Sequence, residues 1–268
     1  MMRKSEFFSC ILAGVAVCFT ALHAGLFPAA VEGQRPCAEA GTRAFFCSAE
    51  ALSDAAPARN VLLTETEHGG ADYLGKIIFI GDSRTYGLKH FAMLEGGEET
   101  KQVWTPQNGT MSVWDMQNQK ILYPDTGVEM TCAEAAVLKQ PEIMILSLGF
   151  NGFEIVDEEY FVSEYVKLIN ALQEASPSSR IILQSMFPVC RSYTETKITN
   201  AAIHEGNKTI VEVAKRTDVK YLNTAEALAD DEGFLREEYA SDGCHLTPLG
   251  LDVELNYICT HMYPEVSP

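Results

Sequence analysis

Basic residues are the scarce class in this chain of 268 residues: 20 Lys and Arg stand against 37 Asp and Glu, a formal charge of −17. No lysine or arginine cluster interrupts that acidity, so long-range repulsion from phosphate backbones excludes nucleic acid as a partner. Nucleotide-binding loops are missing too. No Gly-x-Gly-x-x-Gly or Walker sequence follows an apolar run, and without such a turn nothing cradles a cofactor's phosphates. The Gly-x-Ser-x-Gly elbow is absent, which argues against the α/β-hydrolase fold. His204, His245 and His261 with Cys244 lack zinc-site spacing.

What is present divides the chain into three parts. Arg3 and Lys4 precede a stretch from Phe7 to Pro28 with no formal charge apart from His23. Residues 1–30 therefore read as a signal peptide or an N-terminal membrane anchor, and either one places the remainder of the chain outside the membrane. Leu22-His23-Ala24 is a fair cleavage sequence with a large residue where a small one is preferred. Residues 31–72 mix Ala, Glu, Ser, Thr and Gly with short apolar patches and read as a linker or stalk. Residues 73–268 remain, about 190 positions, enough for one domain with a substantial core.

Beyond Cys10 and Cys18 there are six cysteines, Cys37, Cys47, Cys132, Cys190, Cys244 and Cys259. In an exported chain they could pair in about 15 ways. Cys37 with Cys47 would close a stalk loop, and Cys244 with Cys259 or Cys190 would brace the segment before His245. Reduced, buried thiols are the alternative.

From Tyr73 onward, strand and helix patterns alternate. Strand-like runs are Ile77–Ile80, Gln102–Trp104, Ile143–Leu148, Arg180–Gln184 and Val219–Leu222. Phe161, Tyr165, Leu168 and Leu172 fall on one face of a helix over Glu158–Ala175. Thr131 with Glu134 forms a capping-box start for a helix through Leu138. Lys197–Arg216 forms another, and Thr247 caps a last helix with Pro248 in its first position. This alternation predicts an α/β fold: a parallel sheet covered on both faces, a three-layer α/β/α sandwich.

Ile77 to Ile80 is an apolar run, preceded by Lys76, that stops at Gly81-Asp82-Ser83 and leads into a helix pattern. A serine there sits at the carboxyl edge of a parallel sheet, where ligands bind, just ahead of amides that can face an anion. Gly149-Phe150-Asn151 ends a second strand. Asp242-Gly243-Cys244-His245 supplies an acid and a base three residues apart near the C-terminus. These blocks, in this order, resemble those of the SGNH (GDSL-type) hydrolases over about residues 74 to 264.

The resemblance implies a five-stranded parallel sheet in the flavodoxin-like order 2-1-3-4-5. It implies Ser83 as nucleophile, His245 as base and Asp242 as the acid orienting the imidazole, with an oxyanion hole drawn from Ser83, Gly109 and Asn151. It implies no cofactor and no metal. Gly109, in Gln107-Asn108-Gly109-Thr110, carries the least specific match and is also a good tight turn. Two positions depart from the family pattern. Gly152 stands where an aspartate is common, with Glu154 the nearest substitute, and Arg84 follows the serine where leucine is usual. Arg84 could bind a substrate carboxylate or phosphate bidentately, or pair with Asp82.

The expected activity is hydrolysis of small-acyl esters, O-acetyl groups on carbohydrate or cell-wall polymers, by a serine esterase that meets the membrane only through its N-terminal segment. An O-acyltransferase domain, a lipid acylesterase and a non-catalytic cell-surface binding module are the alternatives.

Overall fold

The computed structural model describes residues 60–194 and 197–264. Seven strands lie within them: β1 (Ile77–Gly81), β2 (Val103–Trp104), β3 (Lys120–Tyr123), β4 (Val128–Thr131), β5 (Ile143–Ser147), β6 (Arg180–Gln184) and β7 (Lys220–Leu222). Five form one sheet in the order β2-β1-β5-β6-β7, and every neighbouring pair is parallel. Counted within that sheet alone the order is 2-1-3-4-5, flavodoxin-like.

The central strands are unbroken apolar runs because both faces are covered. Ile78, Ile80, Met144, Leu146 and Leu183 pack against Phe161, Tyr165, Leu168, Leu172, Val213 and Ala214 on one face. Ile77, Phe79, Ile143, Ile145 and Ile182 pack against Leu88, Leu251, Leu255 and Ile258 on the other. The helix Glu158–Ala175 presents the face expected of it, with Phe161, Tyr165, Leu168 and Leu172 all buried. Each such side chain contributes about 1.5–3 kcal/mol of transfer free energy.

The capping signals act as the sequence suggests. Thr131 and Glu134 close a capping box on the helix Cys132–Lys139, and Thr247 accepts from the Gly250 amide to start the helix Pro248–Thr260. One boundary moves. The helix expected from Lys197 begins at Asn200, because Thr199 accepts from the Ala202 amide and is the residue that caps it.

Two features lie outside the sequence expectation. Strands β3 and β4 form an antiparallel hairpin apart from the main sheet. The stalk assigned to residues 31–72 ends earlier than expected. Val61 and Leu63 are buried, Leu63 and Val61 exchange backbone hydrogen bonds with Tyr221, and Gly70–Leu74 is helical. That segment extends the sheet edge beyond β7, and alternation over three residues is too short a pattern to read as a strand. The membrane-anchor reading of residues 1–30 and the Cys37–Cys47 pair lie outside the described residues. No described helix is long and apolar enough to cross a membrane. Cys132, Cys190, Cys244 and Cys259 are all buried free thiols, which corrects the pairing of Cys244 with Cys190 or Cys259.

Candidate active site

The site is built at the end of β1. Gly81 is required there by crowding: a Cβ would overlap the Thr85 hydroxyl and lie 2.8 Å from the Ser147 carbonyl oxygen. Asp82 caps the helix Ser83–His90 by accepting from the Arg84 amide at 3.0 Å. Ser83 is therefore the first helical residue, where backbone amides have no partner within the helix and the positive end of the dipole favours negative charge.

His245 reaches Ser83 from 162 residues away in sequence. Asp242 Oδ1 accepts from the backbone amides of Cys244 at 3.1 Å and His245 at 2.8 Å, which folds the four residues into a tight turn. Its other oxygen, Oδ2, lies 2.7 Å from His245 Nδ1, and His245 Nε2 lies 2.9 Å from Ser83 Oγ. A carboxylate is acceptor-only, so Nδ1 carries the proton facing Asp242 and, in the neutral ring, Nε2 accepts from the serine hydroxyl.

Electrostatics follow the same contacts. Burial pulls the His245 pKa down, but the hydrogen bonds and charges of Asp242 and Cys244 more than reverse this and lift it to about 9. Burial raises the Asp242 carboxyl, yet its bonds from the His245 ring and from the His245 and Cys244 amides hold it well below the ordinary value. Asp82, almost fully buried, is pushed up by burial against the Arg84 amide and the charges of Arg84 and His245.

Asn151 comes to the same strand ends. Its Nδ2 donates to Asp82 Oδ2 at 3.1 Å and to the Met111 carbonyl at 3.2 Å, so both amide hydrogens have protein acceptors. An oxyanion would take this amide only by displacing one of them, and Met111 O is the uncharged acceptor. Gly109 is placed otherwise than expected. Its amide donates to Pro106 O at 2.8 Å in a turn with φ of 72°, so it serves the turn and not an oxyanion.

Arg84 also needs correction. It is only 5% exposed, and its guanidinium lies between the Phe150 and Phe187 rings at 3.4 and 4.2 Å, with Nη1 donating to Phe187 O at 3.0 Å. A group so enclosed braces the loops around Ser83 and does not reach a substrate from the surface. Gly152 is explained by its neighbour, since a Cβ there would come within 2.7 Å of the Trp114 ring. Glu154 does not take over the missing acid's role: its Oε2 is buried without a hydrogen-bond partner among the described residues.

The residue that sequence reasoning missed is Glu254. It lies buried in the helix Pro248–Thr260, and its Oε1 accepts from Gln184 Nε2 at 2.7 Å, at the end of β6. Burial raises its pKa to about 7, against the Gln184 hydrogen bond and the charge of Arg84. The native state therefore binds this proton more tightly than the unfolded chain does. The stabilisation is complete below the ordinary value and is lost as pH rises towards 7, on the order of 3 kcal/mol across the window. The melting temperature should accordingly fall more steeply between about pH 5 and 7.5 in the native protein than in Glu254→Gln. Parallel melting curves for the two would show that Glu254 holds no such proton.

A cavity of about 600 Å³ lies elsewhere, bounded by Leu62, Met186, His204, Tyr221 and Tyr257 and touching none of Ser83, Asp242 or His245.

A doubly covered parallel sheet with a serine at the end of β1, in hydrogen-bond contact with a histidine, is the arrangement of a serine hydrolase built on an α/β sandwich. Residues 79–253 match the GDSL-like lipase/acylhydrolase family, and the chain belongs to that family. No curated protein matches the chain. Among solved structures it is similar to a GDSL-like lipase from Bacteroides thetaiotaomicron, at 18% identity over 67% of this chain and 84% of that one, with a TM-score of 0.42. The periplasmic domain of a lipopolysaccharide acetyltransferase from Salmonella ser. Paratyphi A shares 20% identity over 74% and 89% of the two chains, with a TM-score of 0.47. A carbohydrate esterase family 3 protein from Talaromyces cellulolyticus shares 15% over 68% and 92%, with a TM-score of 0.43.

Proposed function

We propose that this protein is an exported esterase that removes small acyl groups, O-acetyl above all, from carbohydrate or cell-wall polymers, with Ser83 as nucleophile. The observation that carries the reading is the continuous chain Ser83 Oγ–His245 Nε2–His245 Nδ1–Asp242 Oδ2, at 2.9 and 2.7 Å. Neutral His245 takes the hydroxyl proton as Oγ attacks the ester carbonyl, and Asp242 stabilises the imidazolium that results. The imidazolium then returns that proton to the departing alcohol. Water, deprotonated by the same ring, releases the acid from the acyl-enzyme.

Negative charge on the carbonyl oxygen develops beside the N-terminus of the helix Ser83–His90, where the Ser83 amide is the nearest donor in sequence. Asn151 supplies a second donor when Met111 O gives way. A preorganised donor of this kind is worth about 2.7–4 kcal/mol of barrier. Export rests on the uncharged segment Phe7–Pro28 after Arg3 and Lys4.

The test is active-site labelling with a fluorophosphonate, followed by acetate release from a panel of acetylated glycans. Modification of Ser83 alone, with free acetate formed in water, is the expected result. Acetate transferred only when a sugar acceptor is supplied would make the protein an acyltransferase. A folded protein that leaves the probe untouched would overturn the nucleophile assignment.

A further inference from the structure

We infer that Asp242, Cys244 and His245 form a binding site for a thiophilic divalent cation of the zinc class, and that an ion bound there shuts off the serine. Cys244 Sγ lies 3.4 Å from His245 Nδ1, on the same ring nitrogen that Asp242 Oδ2 approaches at 2.7 Å. One donor atom from each of the three residues lies within 4.8 Å of the others. A tetrahedral zinc ion bonds sulfur, nitrogen and oxygen at about 2.0–2.3 Å, which spaces its donors roughly 3.3–3.6 Å apart. The sulfur and nitrogen already stand at that separation. The carboxylate oxygen, 2.7 Å from Nδ1, has to withdraw from that nitrogen by roughly half an ångström, and it stands within 4.8 Å of the sulfur.

The donor set itself selects the ion. A thiolate, an imidazole nitrogen and a carboxylate oxygen suit zinc, cadmium and cobalt, and the thiolate disfavours magnesium and calcium. Cys244 and His245 are buried and give the site a dry floor, while the more exposed Asp242 side chain leaves a path to solvent. Arg84 is the opposing charge, since its guanidinium acts electrostatically on both Cys244 and Asp242. Where His245 is neutral, the thiol proton leaves for solvent as the metal–sulfur bond forms and the site gains one net positive charge; where the ring is an imidazolium, its second proton leaves as well and the net charge is unchanged. Histidine spacing alone misses the site because one ligand is the aspartate of the same turn.

The inhibitory consequence rests on the proposed role of Ser83 and His245, whereas the binding itself does not. Metal takes the Nδ1 lone pair, so the neutral ring must carry its proton on Nε2 and turn an N–H towards Ser83 Oγ. A ring in that tautomer accepts no proton from the hydroxyl.

Co²⁺ titration of the full chain under reducing conditions, without substrate, reads the binding directly. A thiolate-to-cobalt charge-transfer band in the near ultraviolet is expected from the native protein and should be absent from Cys244→Ala. Zn²⁺ should inhibit ester turnover reversibly, with chelator restoring it. Relative to each protein's own metal-free rate, the half-inhibitory Zn²⁺ concentration should rise at least about 10-fold in Cys244→Ala and Cys244→Ser. Melting curves establish that the variants are folded, and if one is not, the other and the cobalt band carry the decision. Equal Zn²⁺ sensitivity of the native protein and a folded Cys244 variant, or cobalt inhibition without the band, would overturn the site. A band in a protein that no fluorophosphonate labels would instead uphold the site and remove Ser83 from the mechanism.

Discussion

Ser83→Ala should lose ester hydrolysis by about 10⁴-fold or more in kcat/KM while the domain stays folded. The covalent step needs the hydroxyl, whose oxygen lies 2.9 Å from His245 Nε2. The fold does not need it. Asp82, not Ser83, caps the helix, and the strand and helix around the site are held by Ile80, Leu88 and Leu251. Turnover of p-nitrophenyl acetate, measured with the melting temperature on the same preparation, checks both halves. A folded variant with undiminished turnover would place the nucleophile elsewhere.

Asp242→Asn should cost about as much in kcat, on the order of 10⁴-fold, because an amide in that place no longer dictates which ring nitrogen carries the proton. The pH dependence supplies a signature that simple misfolding would not produce. With His245 raised to about 9, the neutral ring grows in as pH increases, so kcat/KM of the native enzyme should climb through a limb well above the ordinary imidazole value of about 6.5. Without the carboxylate, the residual activity should show that limb shifted downwards, since burial then acts with less to oppose it. A limb at or below the ordinary value in the native enzyme, or one that Asp242→Asn leaves in place, would exclude this pair as the titrating unit.

Much of this architecture is legible locally. The run Ile77–Ile80 reads as a strand buried on both faces because nothing in it alternates, and it is one. Phe161, Tyr165, Leu168 and Leu172 recur at helical spacing and all point into the core. Thr131, Glu134, Thr247 and Pro248 mark helix starts by chemistry that operates within four residues. The hairpin of β3 and β4 is not legible. Its strands are short and half exposed, and its turn at Asp125-Thr126-Gly127 is one of several good turns in the chain.

The site divides along the same line. Asp242 and His245 meet through a turn closed inside four residues, so their pairing is contained in the spacing itself. Ser83 and His245 meet only because β1 lies inside the sheet and the C-terminal segment returns across its carboxyl edge. Arg84, read from its position beside the serine, suggests a substrate anchor. Its burial between Phe150 and Phe187 depends on two loops that sequence neighbours do not reveal. Asn151 likewise owes its hydrogen-bond partners, Asp82 and Met111, to segments distant in sequence.

The sequence by itself therefore determined the alternation of strand and helix, the helix caps, the serine at a strand end and the Asp242–His245 turn. All of these arise from contacts within a few residues, where periodicity and backbone chemistry act directly. Only the tertiary structure decided that residues 61–63 join the sheet edge, that the Asn151 amide is shared between Asp82 and Met111 and that Arg84 is enclosed. Those outcomes rest on side chains brought together from distant segments by burial of apolar surface, a force that fixes which faces are covered and carries no local mark of which polar groups will meet there.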